Sequence, residues 1–268
     1  MDCDDGALAM SRRILVTGSA SGIGAALVAQ LSDAGDTVIG LDRRDADIVC
    51  DLTSAVQIAE AIATIDGPLD GPLDGLALVA GLPGTAEPQA IFAVNTNAPR
   101  LLAAGLAARL HEGAGIVAVS SVTAARCPLD DAAKDALLAA PRADLAHQAA
   151  IADGKTAYEY SKALLNRWVQ HAVRDFQPRG IRVNAVSPGP VETPILADFE
   201  SSIGADRIAA ASQLTGRHGQ PSEIASAIRF LLGPDAGWIN GAELKVDGGY
   251  HALRAVPPPA EASPGKAA

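Results

Sequence analysis

Arg12-Arg13-Ile14-Leu15-Val16-Thr17-Gly18-Ser19-Ala20-Ser21-Gly22-Ile23-Gly24 is the stretch that decides the fold. Its first part is a short β-branched apolar run that stops at Thr17-Gly18, as a buried strand does. Beyond it, Ile23, Leu27 and Leu31 recur at helical spacing until Gly35 closes the helix. Three glycines between a strand and a helix have three separate jobs: a tight turn, close approach of a pyrophosphate, and close contact of helix on strand. The helix start adds free N–H groups and a positive dipole end. Gly18, Ser21, Gly22, Ile23 and Gly24 are therefore the first candidate ligand contacts, and the ligand is a dinucleotide. A glycine-rich loop without a ligand is the competing reading of these residues taken alone.

The same rhythm continues along the chain. Strands are predicted at Thr37–Leu41, Ile48–Cys50, Leu76–Val79, Ile116–Ser120, Arg182–Val186 and Glu243–Val246. Helices are predicted around 54–65, 88–110, from Thr156 to Phe176 and from Ser222 to Leu232. Alternating strands and helices imply a parallel α/β sheet of the Rossmann-type, doubly wound kind, with right-handed crossovers and helices on both faces. One domain over residues 12–253 is expected, between a flexible N-terminal extension at 1–11 and a disordered Pro/Ala-rich tail at 254–268. Met10 opens a more natural start than Met1. Residues 67–75, GPLDGPLDG, read as a surface loop rather than a fold repeat.

Composition narrows the partners. The hydrophobic set makes up 49% of 268 residues, enough for a large core, but aromatics make up only 3%, so Ala, Val, Leu and Ile must build it. Net charge is −10, which argues against nucleic acid and anionic membrane surfaces as partners. No apolar run reaches the roughly 18 residues a membrane span needs, and the acidic first ten residues do not read as a secretory signal. The three cysteines, Cys3, Cys50 and Cys127, form no C-x-x-C pair and fit a reduced, cytoplasmic compartment. The five histidines have no ligand spacing, so no metal is expected.

Two further features carry chemistry. Asp42 closes the second strand 18 residues beyond Gly24. A carboxylate there accepts both ribose hydroxyls of NAD and repels the 2′-phosphate of NADP, although Arg43 and Arg44 follow directly. NAD is the expected cofactor and NADP the less favoured one. Tyr158 and Lys162 stand at i and i+4, on one face of a helix. An ammonium near a phenol favours the phenolate, so the pair suits acid–base work.

Together with Val94-Asn95, Ser120-Ser121 and Asn184-Ala185-Val186-Ser187-Pro188-Gly189, these motifs resemble the short-chain dehydrogenase/reductase family in its single-domain form. The likeness runs from about Arg12 to Gly249 and ends on Val246-Asp247-Gly248-Gly249, similar to the family's closing strand and turn. The resemblance implies Tyr158 as proton donor and acceptor, and Lys162 on the nicotinamide ribose, lowering the Tyr158 pKa. It implies Ser121 on the substrate oxygen, and Asn95 at a helix bend with a water toward Lys162. It also implies Asp51 at the adenine amino group, Thr193 at the carboxamide, and Leu52, Ala80, Gly81, Pro188, Gly189 and Val191 along the cofactor. The implied function is hydride transfer between NAD(H) and a hydrophobic alcohol or ketone, alicyclic, steroid-like or aromatic. An NADPH-dependent carbonyl reductase would use the same residues. A non-catalytic dinucleotide-binding regulator would share the turn but needs no proton relay.

The chain departs from the family pattern twice. The family's Asn-Ala-Gly reads Val79-Ala80-Gly81 here. Ser121 and Tyr158 stand 37 residues apart, a wider gap than most members have, and the excess is a helical-looking insertion at 126–155. Such an insertion resembles the branch with bacterial 3α-hydroxysteroid dehydrogenase/carbonyl reductase and the coniferyl-alcohol dehydrogenase-like proteins. It is expected to shape the pocket wall and to obstruct one subunit interface, which favours a dimer over a tetramer for the expected homo-oligomer; a solvated surface excursion is the competing reading. Residues 190–216, with Ile195, Leu196, Phe199 and Ile203, are expected to form a substrate lid.

Overall fold

The run at the head of the sequence becomes β1 (Arg13–Thr17), buried from Ile14 onward. The computed structural model describes residues 11–66, 71–141, 145 and 149–256. Six further strands join β1: β2 (Thr37–Asp42), β3 (Ile48–Val49), β4 (Leu73–Leu78), β5 (Leu110–Val119), β6 (Arg182–Pro188) and β7 (Glu243–Val246). Their order is β3-β2-β1-β4-β5-β6-β7, with every pairing parallel. The winding reverses between β1 and β4, so a crevice opens at the carboxyl ends of those strands.

The described helices are α1 (Gly22–Asp33), α2 (Ala55–Asp66), α3 (Pro88–Phe92), α4 (Ala98–Gly105), α5 (Asp131–Ala139) and α6 (Gly154–Phe176), then α7 (Leu196–Ile203), α8 (Ala205–Thr215), α9 (Pro221–Leu232) and α10 (Tyr250–Ala255). Side chains of a strand alternate between faces. Ile14 and Val16 pack with Leu27 and Leu31 of α1 and Ile224 and Ile228 of α9. Leu15 faces the opposite layer, with Ile58 of α2, Leu102 of α4 and Leu165 of α6. This is the doubly wound Rossmann-type sheet expected from the sequence, in one domain. Aliphatic residues fill it, as the low aromatic content requires. The buried Arg182 guanidinium donates to the carbonyls of Leu231, Gly233 and Ala236, satisfying the end of α9.

Several boundaries differ from the sequence reading. Strand β4 begins at Leu73, because that side chain is buried and pairs with Leu110. The end of the GPLDGPLDG stretch is thus strand, and residues 67–70 lie outside the described residues. The helix expected over 88–110 is broken into α3, a π-helical segment Ala93–Asn97 and α4, and it ends at Gly105. Pro99 is the reason: it has no N–H for the carbonyl four residues back, at Asn95. Helix α10 takes in Arg254 and Ala255, which the sequence reading placed in the tail; Arg254 bonds back to Tyr250 and holds the last turn. Residues 1–10 and 257–268 lie outside the described residues, as do 142–144 and 146–148 of the insertion. Among the described residues no helix is long and apolar enough to cross a membrane.

Candidate active site

The glycine turn forms the floor of the crevice. Gly18 has φ +70°, a left-handed conformation that favours glycine. A Cβ at Gly24 would overlap the Gly18 carbonyl, so α1 packs this closely on the turn only because Gly24 lacks one. Thr17 Oγ1 accepts from the N–H groups of Val79 and Ala80 at 2.9 and 3.1 Å, tying the ends of β1 and β4 together. Asp42 ends β2 beside the turn, where its carboxylate accepts from the Ala20 and Arg43 N–H groups. Asp51 holds Thr53 through its Oδ1. A cleft of about 770 Å³ runs from these residues to the strand ends of β5 and β6. Gly18, Ser21, Gly22, Ile23, Gly24, Asp42, Asp51 and Leu52 line one end; Ala80, Gly81, Pro188, Gly189, Val191 and Thr193 lie further along. Thr193 rests against Gly22, so the start of the segment expected as a lid sits over the turn.

At the other end of the cleft stand Ser121, Tyr158 and Lys162. Ser121 Oγ accepts from the Thr123 N–H and hydroxyl at 3.2 and 2.9 Å, which leaves its own proton for the Tyr158 oxygen. Ser120, its neighbour, donates instead to the Lys162 carbonyl. Lys162 Nζ donates to the Val119 carbonyl at 2.8 Å and lies 5.7 Å from the Tyr158 ring centre. Phe199 of α7 meets the same ring edge-on at 5.1 Å.

Asn95 is buried in the π-helical segment, not in the cleft wall. Its amide is committed on both sides: Oδ1 accepts from the Leu82 N–H, and Nδ2 donates to the Leu82 carbonyl and Ser161 Oγ. Ser161 in turn donates to the Tyr158 carbonyl at 2.8 Å. Asn95 therefore fixes the loop after β4 against the catalytic helix. The sequence reading missed Ser161 and Thr123, because a serine inside Tyr-x-x-x-Lys and a threonine after a strand have no spacing of their own that signals a role.

Burial governs the electrostatics. It pushes the Tyr158 phenol up to about 12, against the pull of the Ser121 hydrogen bond. It pushes the Lys162 ammonium down to about 7. Lys162, expected from the sequence to lower Tyr158, is not among the groups that act on it here; desolvation raises it and Ser121 alone opposes. A dinucleotide fits these residues on two observations. Val119 is the one hydrogen-bond acceptor of Lys162 among the described residues, leaving N–H groups for a ligand. A Cβ at Gly81 would stand 3.3 Å from Lys162 Nζ and 3.4 Å from Asn95 Oδ1, in space the glycine keeps open. Among the described residues no cluster of His, Cys, Asp and Glu could hold a metal.

A doubly wound sheet with a glycine turn at its switch point and a Tyr–Lys pair on the adjoining helix defines a dinucleotide-binding oxidoreductase. Residues 12–133 match the family model described as short chain dehydrogenase, and residues 143–251 that described as Enoyl-(Acyl carrier protein) reductase. The chain is 34% identical over 261 residues to the coniferyl-alcohol dehydrogenase of Pseudomonas sp. (strain HR199 / DSM 7063), covering 89% of this chain and 96% of that one. It is 36% identical over 252 residues to the 3-alpha-hydroxysteroid dehydrogenase/carbonyl reductase of Comamonas testosteroni, covering 90% and 96%. Among solved structures, the 3-alpha-hydroxysteroid dehydrogenase from Pseudomonas sp. B-0831 complexed with NADH superposes with TM-score 0.79 at 38% identity, over 90% of this chain and 98% of that one. The chain belongs to the short-chain dehydrogenase/reductase family of oxidoreductases, alongside these relatives of the branch expected from the insertion.

Proposed function

We propose that this chain is an NAD-dependent dehydrogenase or ketoreductase acting on a hydrophobic alcohol or ketone, alicyclic, steroid-like or aromatic. The observation that carries the reading is the Tyr158 phenol, within the electrostatic reach of the Ser121 hydroxyl and beside Lys162, in the cleft that starts on the glycine turn. Bound NAD would supply the hydride acceptor. The protein does the proton work. Tyr158 as phenolate takes the proton of the carbinol, and Ser121 donates a hydrogen bond to the same oxygen. That bond strengthens as negative charge develops, which is worth a few kcal/mol of barrier, about 2 to 4. Lys162 turns its remaining N–H groups to the nicotinamide ribose hydroxyls. Its ammonium, held charged by those bonds, then favours the phenolate and lowers Tyr158 from about 12. Gly18, Ser21, Gly22, Ile23 and Gly24 cradle the pyrophosphate at the α1 dipole. Asp42 takes the adenosine ribose, Asp51 and Leu52 the adenine side, and Pro188, Gly189, Val191 and Thr193 the carboxamide side.

The apolar character of the substrate is supported by Phe199, Ile195 and Leu196, which line the cleft next to Tyr158. It is also supported by two relatives, a coniferyl-alcohol dehydrogenase and a 3-alpha-hydroxysteroid dehydrogenase/carbonyl reductase. A screen of steroid, terpene and arylpropanoid alcohols for NADH formation tests the reading. Turnover of at least one class is expected; NAD binding without turnover of any would leave a non-catalytic regulator instead. Arg43 and Arg44 line the cleft beside Asp42 and favour a second reading, an NADPH-dependent carbonyl reductase. Titration with both cofactors separates the two, and tighter binding of NADPH would reverse our assignment. The enzyme is further expected to act in the cytoplasm as a homo-oligomer.

A further inference from the structure

Beside the cleft lies a second recess of about 400 Å³ whose chemistry is the opposite of the chain's net charge of −10. Arg126, Arg207 and Arg254 line it, with Tyr250 and Leu214. Arg126, Arg207 and Tyr250 also line the cleft that holds Tyr158, so the two spaces share a wall. Arg254 lies over the Tyr250 ring at 5.5 Å and donates to its hydroxyl at 3.2 Å; all three arginines are exposed to solvent. Arg126 pairs with Glu159 at 3.4 Å. Among the described residues neither Arg207 nor Arg254 has a carboxylate within ion-pair distance. Three guanidiniums facing one space repel one another, and one carboxylate offsets only part of that. The planar fork of arginine matches a carboxylate on two N–H groups at once.

We infer that the substrate carries a carboxylate at the end remote from its carbinol, bound by Arg207, Arg254 and Arg126, with an apolar body along Phe199 and Ile208 between the two. The inference rests on the dehydrogenase reading and adds to it a class of substrate: a hydrophobic alcohol or ketone acid. Arg207 stands on α8 and Arg254 on α10, elements that meet only in the folded chain, so no spacing in the sequence announces the pair.

The test uses a matched pair of probes, 4-(4-hydroxycyclohexyl)butanoate and its methyl ester, with the full-length enzyme and its Arg207→Gln/Arg254→Gln variant. In the wild type the acid is expected to have the lower KM, and raising salt should narrow the gap. In the variant the ratio of KM for acid over ester should rise roughly tenfold or more, the effect of losing charge-assisted hydrogen bonds, while the kcat ratio stays put. An unchanged KM ratio, or a wild type that prefers the ester, overturns the inference. If neither probe is turned over, the alcohol screen decides the dehydrogenase reading separately, and calorimetric titration of the acid into both proteins decides the arginine site. Weaker binding to the variant supports the arginine site; equal or absent binding removes it.

Discussion

At the scale of single residues, the site depends on a phenol and an amine that burial pushes in opposite directions. Tyr158→Phe removes the proton-transfer group but keeps the ring that Phe199 packs against. Turnover should fall below about one-thousandth of wild type, while NAD affinity, measured by fluorescence titration, stays within about threefold of wild type. Wild-type rates in that variant would take Tyr158 out of its role. Lys162 makes a stability prediction with a definite sign. Its pKa is about 7 in the fold against an ordinary 10.5, so between those values the unfolded chain holds a proton that the native chain lacks. Its contribution therefore makes stability rise as pH climbs from about 7 toward 10.5. Tyr158 acts the other way above its ordinary 10.0, because the fold keeps that proton up to about 12. Denaturant titrations at several pH values should show the rise, and Lys162→Met should flatten it; an identical slope in the variant would mean that the amine is not desolvated as the structure has it.

Secondary-structure elements decide how the residues meet. The insertion helix α5 is clamped to α6 by Arg167, whose guanidinium makes two 2.6 Å bonds to Asp135 and reaches Asp131, while His171 also bonds Asp135. Those partners hold the Asp135 carboxyl well below the usual carboxylate range. Leu138 is buried beneath the clamp with Leu137 packed beside it. Because the charges are half-exposed at the protein surface, Arg167→Ala should leave the global melting temperature little changed. It should nevertheless speed limited proteolysis within 126–155, read by mass spectrometry of the fragments. Cleavage no faster than in the wild type would show that the apolar contacts alone hold α5. The bend at Asn95 belongs to this scale too. Asn95 was visible as a motif residue, but its grip on Leu82 and Ser161 follows from a helix that widens over Ala93–Asn97, ahead of Pro99.

For the whole molecule, α5 packs against the catalytic helix, so a second copy approaching that helix would meet an extra layer there. Light scattering of the purified protein should give a dimer; a tetramer built on that helix pair would contradict the obstruction. The order of the sheet was legible from alternating strands and helices, since parallel pairing and right-handed crossovers leave few topologies for such a pattern. The strand ends were less legible. Leu73 sits in a turn-like repeat, and only its pairing with Leu110 makes it strand. The recess with Arg126, Arg207 and Arg254 was not legible at all.

The sequence by itself determined the sheet, the glycine turn at its switch point, Asp42 at the end of β2 and the Tyr158–Lys162 face of one helix. Those features are local: each needs only residues within a few turns of one another, and chain geometry then places them. Tertiary structure alone decided what surrounds them. It joined Ser121 to Thr123, brought both into one cleft with Tyr158, turned Asn95 toward Leu82 and Ser161, and set three arginines around one recess. It also reversed the expected balance on Tyr158, because desolvation depends on everything packed around the ring, and that packing exists only once distant segments have met.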